Sequence, residues 1–426
     1  MDHWGLFTDL YELTMAAGFH AEGRDELATF ELFVRRLPPQ RDFLVVCGIE
    51  TALERLAGFQ FDDGDLAYLR TLGLFDDPFL EHLGRLAFRG EVRAMAEGEL
   101  AYAEEPLLSI TGSLIETQLV ETLLLNTIGF ETMVATKAAR VALSAAGRTF
   151  VDFSARRDHG ADAALRVARA SYVGGAAATS LVEAGRRYGL PLSGTMAHSY
   201  VMAHRQERDA FASFLRRFPD NAVLLVDTHD SVQGTREAVA AMTATGIRAQ
   251  AIRLDSGDLG DLSVRTRAIL DEAGYADVRI FASGDLDEDR VAELVASGAP
   301  IDAFGVGTRM GTSDDAPSLG VVYKLVEQGG APRWKTSPGK ATLPGRKQVW
   351  RQPGRDLLAL GAEEGPHGAR PLLAPVWRDG QRVGGVPTLA DARARCAAAI
   401  GAWTGAPPAV ELSPALQAMA RGEPQA

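Results

Sequence analysis

Two aspartates stand three residues apart around a serine–glycine turn in Arg253-Leu254-Asp255-Ser256-Gly257-Asp258. That spacing can hold a hydrated Mg²⁺ or a pair of sugar hydroxyls, and the arginine ahead of it can grip a carboxylate or phosphate through paired N–H bonds. The same residue types also make an ordinary turn and helix cap. Farther along, Gly305-Val306-Gly307-Thr308 reads as a phosphate cradle, in which glycines let backbone N–H groups approach an anion and the threonine hydroxyl adds a donor. It lacks the lysine and spacing of a P-loop and is no dinucleotide fingerprint.

Gly194-Thr195-Met196-Ala197-His198-Ser199 sets a histidine in a loop of small residues. A lone histidine is most often structural. Metal binding is unsupported, because only His204 lies near ligand spacing, which leaves acid–base work or nucleophilic attack on phosphorus. Phe153-Ser154-Ala155-Arg156-Arg157 joins an aromatic ring to adjacent arginines, a combination that suits a planar anion better than it suits core and surface alone. Thr8-Asp9-Leu10-Tyr11-Glu12-Leu13-Thr14 opens a helix, with Thr8 or Asp9 as its cap.

These clusters follow short apolar runs that read as strands, at residues 150–153, 190–192, 222–226, 247–254, 278–282 and 301–304. Between them, apolar side chains recur at helical spacing over 163–172, 211–218, 236–243, 262–273 and 289–296. Such alternation implies parallel strands joined by right-handed crossovers. Because every strand ends in a polar or glycine cluster, a barrel, whose strand ends share one mouth, is preferred to an open sheet. The expected fold is α/β, an irregular TIM-like barrel over residues 111–325. A second α/β domain is expected from residues 1–110, with strands at 31–34, 43–46 and 91–94, and from 326–426, with extended pieces at 333–336 and 349–351. The tail from about residue 405, rich in Ala, Pro and Gly, is expected to be partly disordered.

Composition narrows the function. With 44 Lys and Arg against 56 Asp and Glu, the net charge is −12, so a general basic surface for nucleic acid is excluded and any phosphate must be held locally. No apolar run is long enough for a membrane helix and no signal pattern opens the chain, so a cytoplasmic protein is expected. Cys47 and Cys396 are the only cysteines and read as packing thiols rather than a disulfide framework or a Cys-based zinc site.

Taken together, the segments closely resemble the nicotinate phosphoribosyltransferases, which are type II phosphoribosyltransferases. The resemblance runs in order through Thr8 to Ala16, the aromatic-plus-double-arginine segment at 153–157, the histidine loop at 194–199, Leu225-Val226-Asp227-Thr228, the 253–259 cluster, Ser283-Gly284-Asp285-Leu286-Asp287-Glu288, the 305–308 glycines and 340–347. It implies an irregular α/β barrel beside a domain built from both chain ends, and a homodimer with interfacial active sites. It further implies transfer of a phosphoribosyl group from 5-phosphoribosyl 1-diphosphate to nicotinate, with Mg²⁺ and coupled ATP hydrolysis.

By position, Tyr11 would come from the neighbouring subunit and stack on the pyridine ring opposite Phe153, while Thr195 and Arg253 would contact nicotinate. Gly305, Gly307 and Thr308, with Ser283 and Gly284, would hold the 5-phosphate. Arg156 and Arg157 fall at anion-binding positions. Asp255 and Asp258, around Ser256 and Gly257, match the ribose and Mg²⁺-diphosphate side, and His198 matches the histidine that ATP phosphorylates. The sequence departs from the family's pattern at His229, often tyrosine, at Gly284, often asparagine, and at Met310-Gly311-Thr312, usually more apolar. Nicotinamide phosphoribosyltransferases place an aspartate where Met196 stands, which favours nicotinate. A quinolinate phosphoribosyltransferase would be a shorter chain without the histidine loop, and a non-catalytic nucleotide-binding regulator would not need His198, Arg253, Asp255 and Asp258 intact.

Overall fold

A computed structural model describes residues 3–335, 337 and 340–422. It divides into two compact units, residues 1–133 with 318–426, and residues 134–317. The expected boundaries at 110 and 325 therefore move, the first of them into the helix Glu121–Ser144. The reason is packing: Leu114, Ile115, Leu119, Leu123, Leu124 and Ile128 belong to the core of the first unit.

In the first unit a largely antiparallel seven-stranded sheet runs in the order Ala331–Pro332, Val321–Gln328, Leu27–Val34, Pro106–Ser113, Glu91–Ala94, Ala374–Arg378, Gln381–Arg382. The central strand Leu27–Val34 has only its first residue exposed, because it is flanked on both edges. A four-stranded sheet includes Lys347–Gln352, which covers the expected piece at 349–351. The piece expected at 333–336 is instead the short strand Ala331–Pro332, and Thr336 lies outside the described residues. The tail is also corrected: Ala409–Leu412 pairs in parallel with Arg355–Leu360, and the following helix Pro414–Ala420 buries Leu416 in the core. Residues 423–426 lie outside the described residues. Cys47 and Cys396 are buried thiols not joined in a disulfide, and burial pushes the Cys396 thiol up to about 12.

The second unit is the parallel α/β part. Its sheet runs Thr149–Asp152, Ala303–Val306, Arg279–Ser283, Ala251–Leu254, Val223–Leu225. Backbone bridges from Asp152 to Thr179 and from Thr179 to Leu192 add two further parallel positions, so the strands curve into an irregular barrel. Among the described residues no pairing joins Leu192 to the Val223–Leu225 strand, which is where the regularity is lost. A small inner cluster of Val151, Ala251 and Phe281 lies apart from the larger layer between strands and helices.

Three of the helices start at aspartates just past a strand: Asp230, Asp258 and Asp287 accept hydrogen bonds from first-turn N–H groups. Each satisfies backbone donors that a helix start leaves unpaired. Part of the polar character at the strand ends is thus capping, while Arg156, Thr195, His198, Arg253 and Asp255 line one cavity. No described helix is long and apolar enough to cross a membrane.

Candidate active site

Beyond the strand ends of the second unit lies a cavity of about 480 Å³, lined by Phe153, Arg156, Thr195, His198, Arg253 and Asp255 among others. Arg253, on the Ala251–Leu254 strand, is fixed from three sides. Its Nε donates to Ser283 Oγ at 2.8 Å, Nη1 to Thr195 Oγ1 at 2.8 Å and Nη2 to Asp255 Oδ1 at 2.6 Å. A guanidinium has five N–H donors, so two remain for a planar anion. Its carbon lies 5.3 Å from the centroid of the Phe153 ring, which packs in turn against Phe281 with centroids 5.7 Å apart.

Asp255 and Asp258 have different protein partners. Asp255 Oδ1 also accepts from Ser283 Oγ at 2.5 Å, so this oxygen is committed to the serine and the arginine, while its Oδ2 faces His198 Nε2 at 3.9 Å. Asp258 Oδ1 caps the helix Leu259–Glu272 by accepting from Gly260 and Asp261 N–H, while Oδ2 has no partner among the described residues. Asp258 Oδ2 is an oxygen that could hold a hydrated Mg²⁺, which keeps most of its waters and takes one or two carboxylates. One carboxylate braces Arg253 and the other caps a helix, and each keeps its Oδ2 outside those bonds.

Asp227 is the residue that sequence reasoning left without a role. Its Oδ2 accepts from the Asp255 N–H at 3.1 Å and from Ser256 Oγ at 2.6 Å, so it sets the loop that carries both aspartates. The next residue, Thr228, bonds His198 Nδ1 through Oγ1 at 3.2 Å. A polar pair at the end of the buried run 222–226 was the available signal. His198 opens the short helix His198–Met202, and its half-exposed ring is held at one nitrogen by a hydroxyl with the other facing a carboxylate.

The glycines divide by task. A Cβ on Gly305 would press into the rings of Phe153 and Phe281, so this glycine makes room for the aromatic floor. Gly284 has φ +98°, and a Cβ there would overlap the Asp255 carbonyl oxygen, so this turn requires a glycine. Gly307 and the exposed Thr308 start the turn Thr308–Gly311, where Met310 is buried and Gly311 packs against Ser154 and Asp158. Ser256 and Gly257 are exposed.

Arg156 and Arg157 are exposed and have no ion-pair partner among the described residues, but only Arg156 lines the cavity. Their loop is anchored by the buried Asp152, which accepts from Ser154 N–H, Ser154 Oγ and Thr179 Oγ1. Burial, then the charge of Asp152, pushes the nearby Asp158 up to about 6. Tyr11 belongs to the first unit, on the helix Leu10–Ala21, where its phenol is raised by burial and by Glu121 and Glu12. Asp9 precedes that helix without a side-chain cap bond and accepts instead from Thr122 Oγ1 at 2.6 Å. Glu12 is fully buried, and burial pushes it up to about 7.

Known proteins resemble this chain over both units. Residues 6–129 match the nicotinate phosphoribosyltransferase N-terminal domain, and residues 134–315 match the quinolinate phosphoribosyl transferase C-terminal domain. The two matches meet where the units divide. The nicotinate phosphoribosyltransferase pncB2 of Mycobacterium tuberculosis is 48% identical over 91% of this chain and 85% of its own length. The chain belongs to the nicotinate phosphoribosyltransferase family. The Bacillus subtilis nicotinate phosphoribosyltransferase is 44% identical over 82% of this chain and 73% of its own length. The crystal structure of human nicotinic acid phosphoribosyltransferase superposes with a TM-score of 0.86 at 30% identity, covering 97% of this chain and 99% of that one. As a nicotinate phosphoribosyltransferase the chain is an enzyme, with the α/β fold expected of it.

Proposed function

We propose that the barrel-mouth residues transfer a phosphoribosyl group from 5-phosphoribosyl 1-diphosphate to nicotinate, giving nicotinate mononucleotide and pyrophosphate. The observation that carries the reading is Arg253, braced on three sides with two donors unspent beside the Phe153 ring. A pyridine carboxylate matches that pair of groups. Its carboxylate takes the guanidinium and its ring lies on the phenylalanine, so the ring nitrogen points away from the arginine. Met196, buried in the cavity wall, offers no carboxylate to a carboxamide, which favours the acid over the amide.

In the transfer, the pyridine nitrogen forms the new bond to the sugar's anomeric carbon as the bond to the diphosphate breaks. The reacting carbon needs no protein nucleophile, so the chain's work is alignment and stabilisation of the leaving charge. A bound Mg²⁺ would neutralise the diphosphate, with Asp258 Oδ2 as the carboxylate oxygen able to hold its water shell. Arg156 and Arg157 face the donor's anions, and Gly307 and Thr308, with Ser283 and Gly284 across from them, cradle the 5-phosphate. Tyr11 of the partner subunit of a homodimer completes the aromatic sandwich.

His198 is the acceptor of the ATP γ-phosphoryl group. The phosphorus–oxygen bond to ADP breaks, a ring nitrogen takes the phosphoryl group, and water later releases phosphate. Its ring is exposed enough to be reached and is fixed by Thr228. The added charge acts beside the diphosphate, through loop ordering and substrate affinity. Incubating the enzyme with nicotinate, the donor and Mg²⁺, with and without ATP, and resolving products by mass should yield the mononucleotide and pyrophosphate. Absence of the mononucleotide in both arms would refute the assignment.

A further inference from the structure

Lys137 lies on the last third of the helix Glu121–Ser144 with its side chain 3% exposed, and it does not line the cavity that holds Arg253. Its ammonium meets three carboxylates: Glu288 at 2.8 Å, Asp315 at 2.9 Å and Asp314 at 3.2 Å. Those carboxylates come from two loops. Glu288 follows Ser283-Gly284-Asp285 and starts the helix Glu288–Ala296, whereas Asp314 and Asp315 follow the turn Thr308–Gly311. One turn along the helix, Arg140 Nη1 repeats the link, to Glu288 Oε1 at 2.9 Å and Asp315 Oδ2 at 2.9 Å. A third link runs between the loops themselves, from Arg309 Nη1 to Asp287 Oδ2 at 2.5 Å.

We infer that Lys137 is a positioning residue for the phosphate end of the donor, tying the 283–288 loop and the 307–315 loop to one buried point so that both halves of the cradle keep their spacing. The inference rests on the proposed role of Gly307, Thr308, Ser283 and Gly284 as that cradle. Two non-glycine residues in left-handed backbone mark the ends of the tie, Asp285 at φ +48° and the buried Ser313 at φ +48°. Such conformations persist where the surroundings over-determine them, and the ion cluster supplies that constraint. The charge balance points the same way. Lys137, Arg140 and Arg309 face Asp287, Glu288, Asp314 and Asp315, and Lys137 reaches three of these four carboxylates. A neutral side chain at 137 removes the ammonium that Glu288, Asp314 and Asp315 share and leaves Arg140 to hold Glu288 and Asp315, so the carboxylates separate towards water. Both consequences, a looser cradle and more negative charge beneath it, oppose a phosphate.

The test is steady-state kinetics of Lys137→Met, Lys137→Arg and Thr308→Ala in the full-length enzyme, with each substrate varied in turn. In Lys137→Met the KM for 5-phosphoribosyl 1-diphosphate should rise about 30-fold, while the KM for nicotinate and kcat change less than about threefold, on the scale where each tenfold is 1.4 kcal/mol. Lys137→Arg should recover most of the loss, since it restores the charge. If Thr308→Ala raises the donor KM and Lys137→Met does not, the role of Lys137 is overturned and the cradle stands. If neither variant changes it, the cradle assignment falls as well. A fall in kcat with both KM values unchanged would mean only a smaller active fraction and would also overturn the role. Should Lys137→Met not fold, Asp315→Asn decides, with a donor-specific rise in KM of about fivefold or more expected and no rise contradicting the tie.

Discussion

Arg253 and Asp255, two residues apart, bond to each other with Nη2 2.6 Å from Oδ1, so the carboxylate that faces His198 also orients the arginine that faces the cavity. A lysine cannot reproduce that arrangement, since its ammonium lacks the planar fork that reaches Ser283, Thr195 and Asp255 together. Arg253→Lys should lower kcat/KM for nicotinate by roughly 10²- to 10³-fold, the equivalent of about 3–4 kcal/mol from lost charge-assisted bonds. Initial rates at subsaturating nicotinate check it, and a loss below about fivefold would count against Arg253 as the carboxylate's partner.

Replacing His198 by alanine should abolish ATP hydrolysis and the acid-labile phosphoenzyme while leaving slow, ATP-independent transfer. Thr228→Val, which removes the hydroxyl bonded to Nδ1, should slow phosphorylation by about tenfold, the worth of one hydrogen bond. Radiolabelled ATP measures both, and undiminished ATPase in His198→Ala would contradict the phosphohistidine.

Gly305→Ala places a methyl group against the Phe153 and Phe281 rings. Overpacking of that kind costs about 1–3 kcal/mol, and here it also tilts the ring on which the pyridine is proposed to rest. The KM for nicotinate should therefore rise about tenfold or more with a smaller change for the donor. An equal effect on both substrates would indicate general destabilisation.

Much of this was legible in the sequence, for physical reasons that can be named. The barrel strands from 149 onward are short apolar runs, and each is followed by a polar turn, so alternation alone located them. The position at Thr179 was not legible, because Ala177-Ala178-Thr179-Ser180 has no apolar run; Thr179 is held by backbone bridges to Asp152 and Leu192 and by its own hydroxyl on Asp152. The division between units was misplaced because the long helix Glu121–Ser144 continues across it without any change of composition. Asp255 and Asp258 look alike in sequence. Only the fold shows that one braces Arg253 and the other caps a helix.

Glu12 gives the first unit a pH-dependent stability. Burial raises its carboxyl from 4.5 to about 7 against the lowering effect of the Thr8 and Thr122 hydroxyls. Between those values the folded chain keeps a proton that the unfolded chain has released. The stabilisation is therefore fully present below about 4.5 and is lost as pH rises through about 7. At 1.36 kcal/mol per unit the loss is about 3 kcal/mol, an upper figure for a single site. Urea midpoints for the wild type and Glu12→Gln at pH 5 and pH 8 should show the wild type losing more stability than the variant. Parallel pH dependence would rule out this site as the cause.

The most direct test sets nicotinate against nicotinamide in one reaction with the phosphoribosyl donor, Mg²⁺ and ATP, and measures both mononucleotides. Two unspent guanidinium donors beside Phe153, with Met196 in the wall, predict nicotinate mononucleotide in at least a hundredfold excess, about 2.7 kcal/mol of discrimination. Equal formation of the two products, or a preference for nicotinamide, would contradict it.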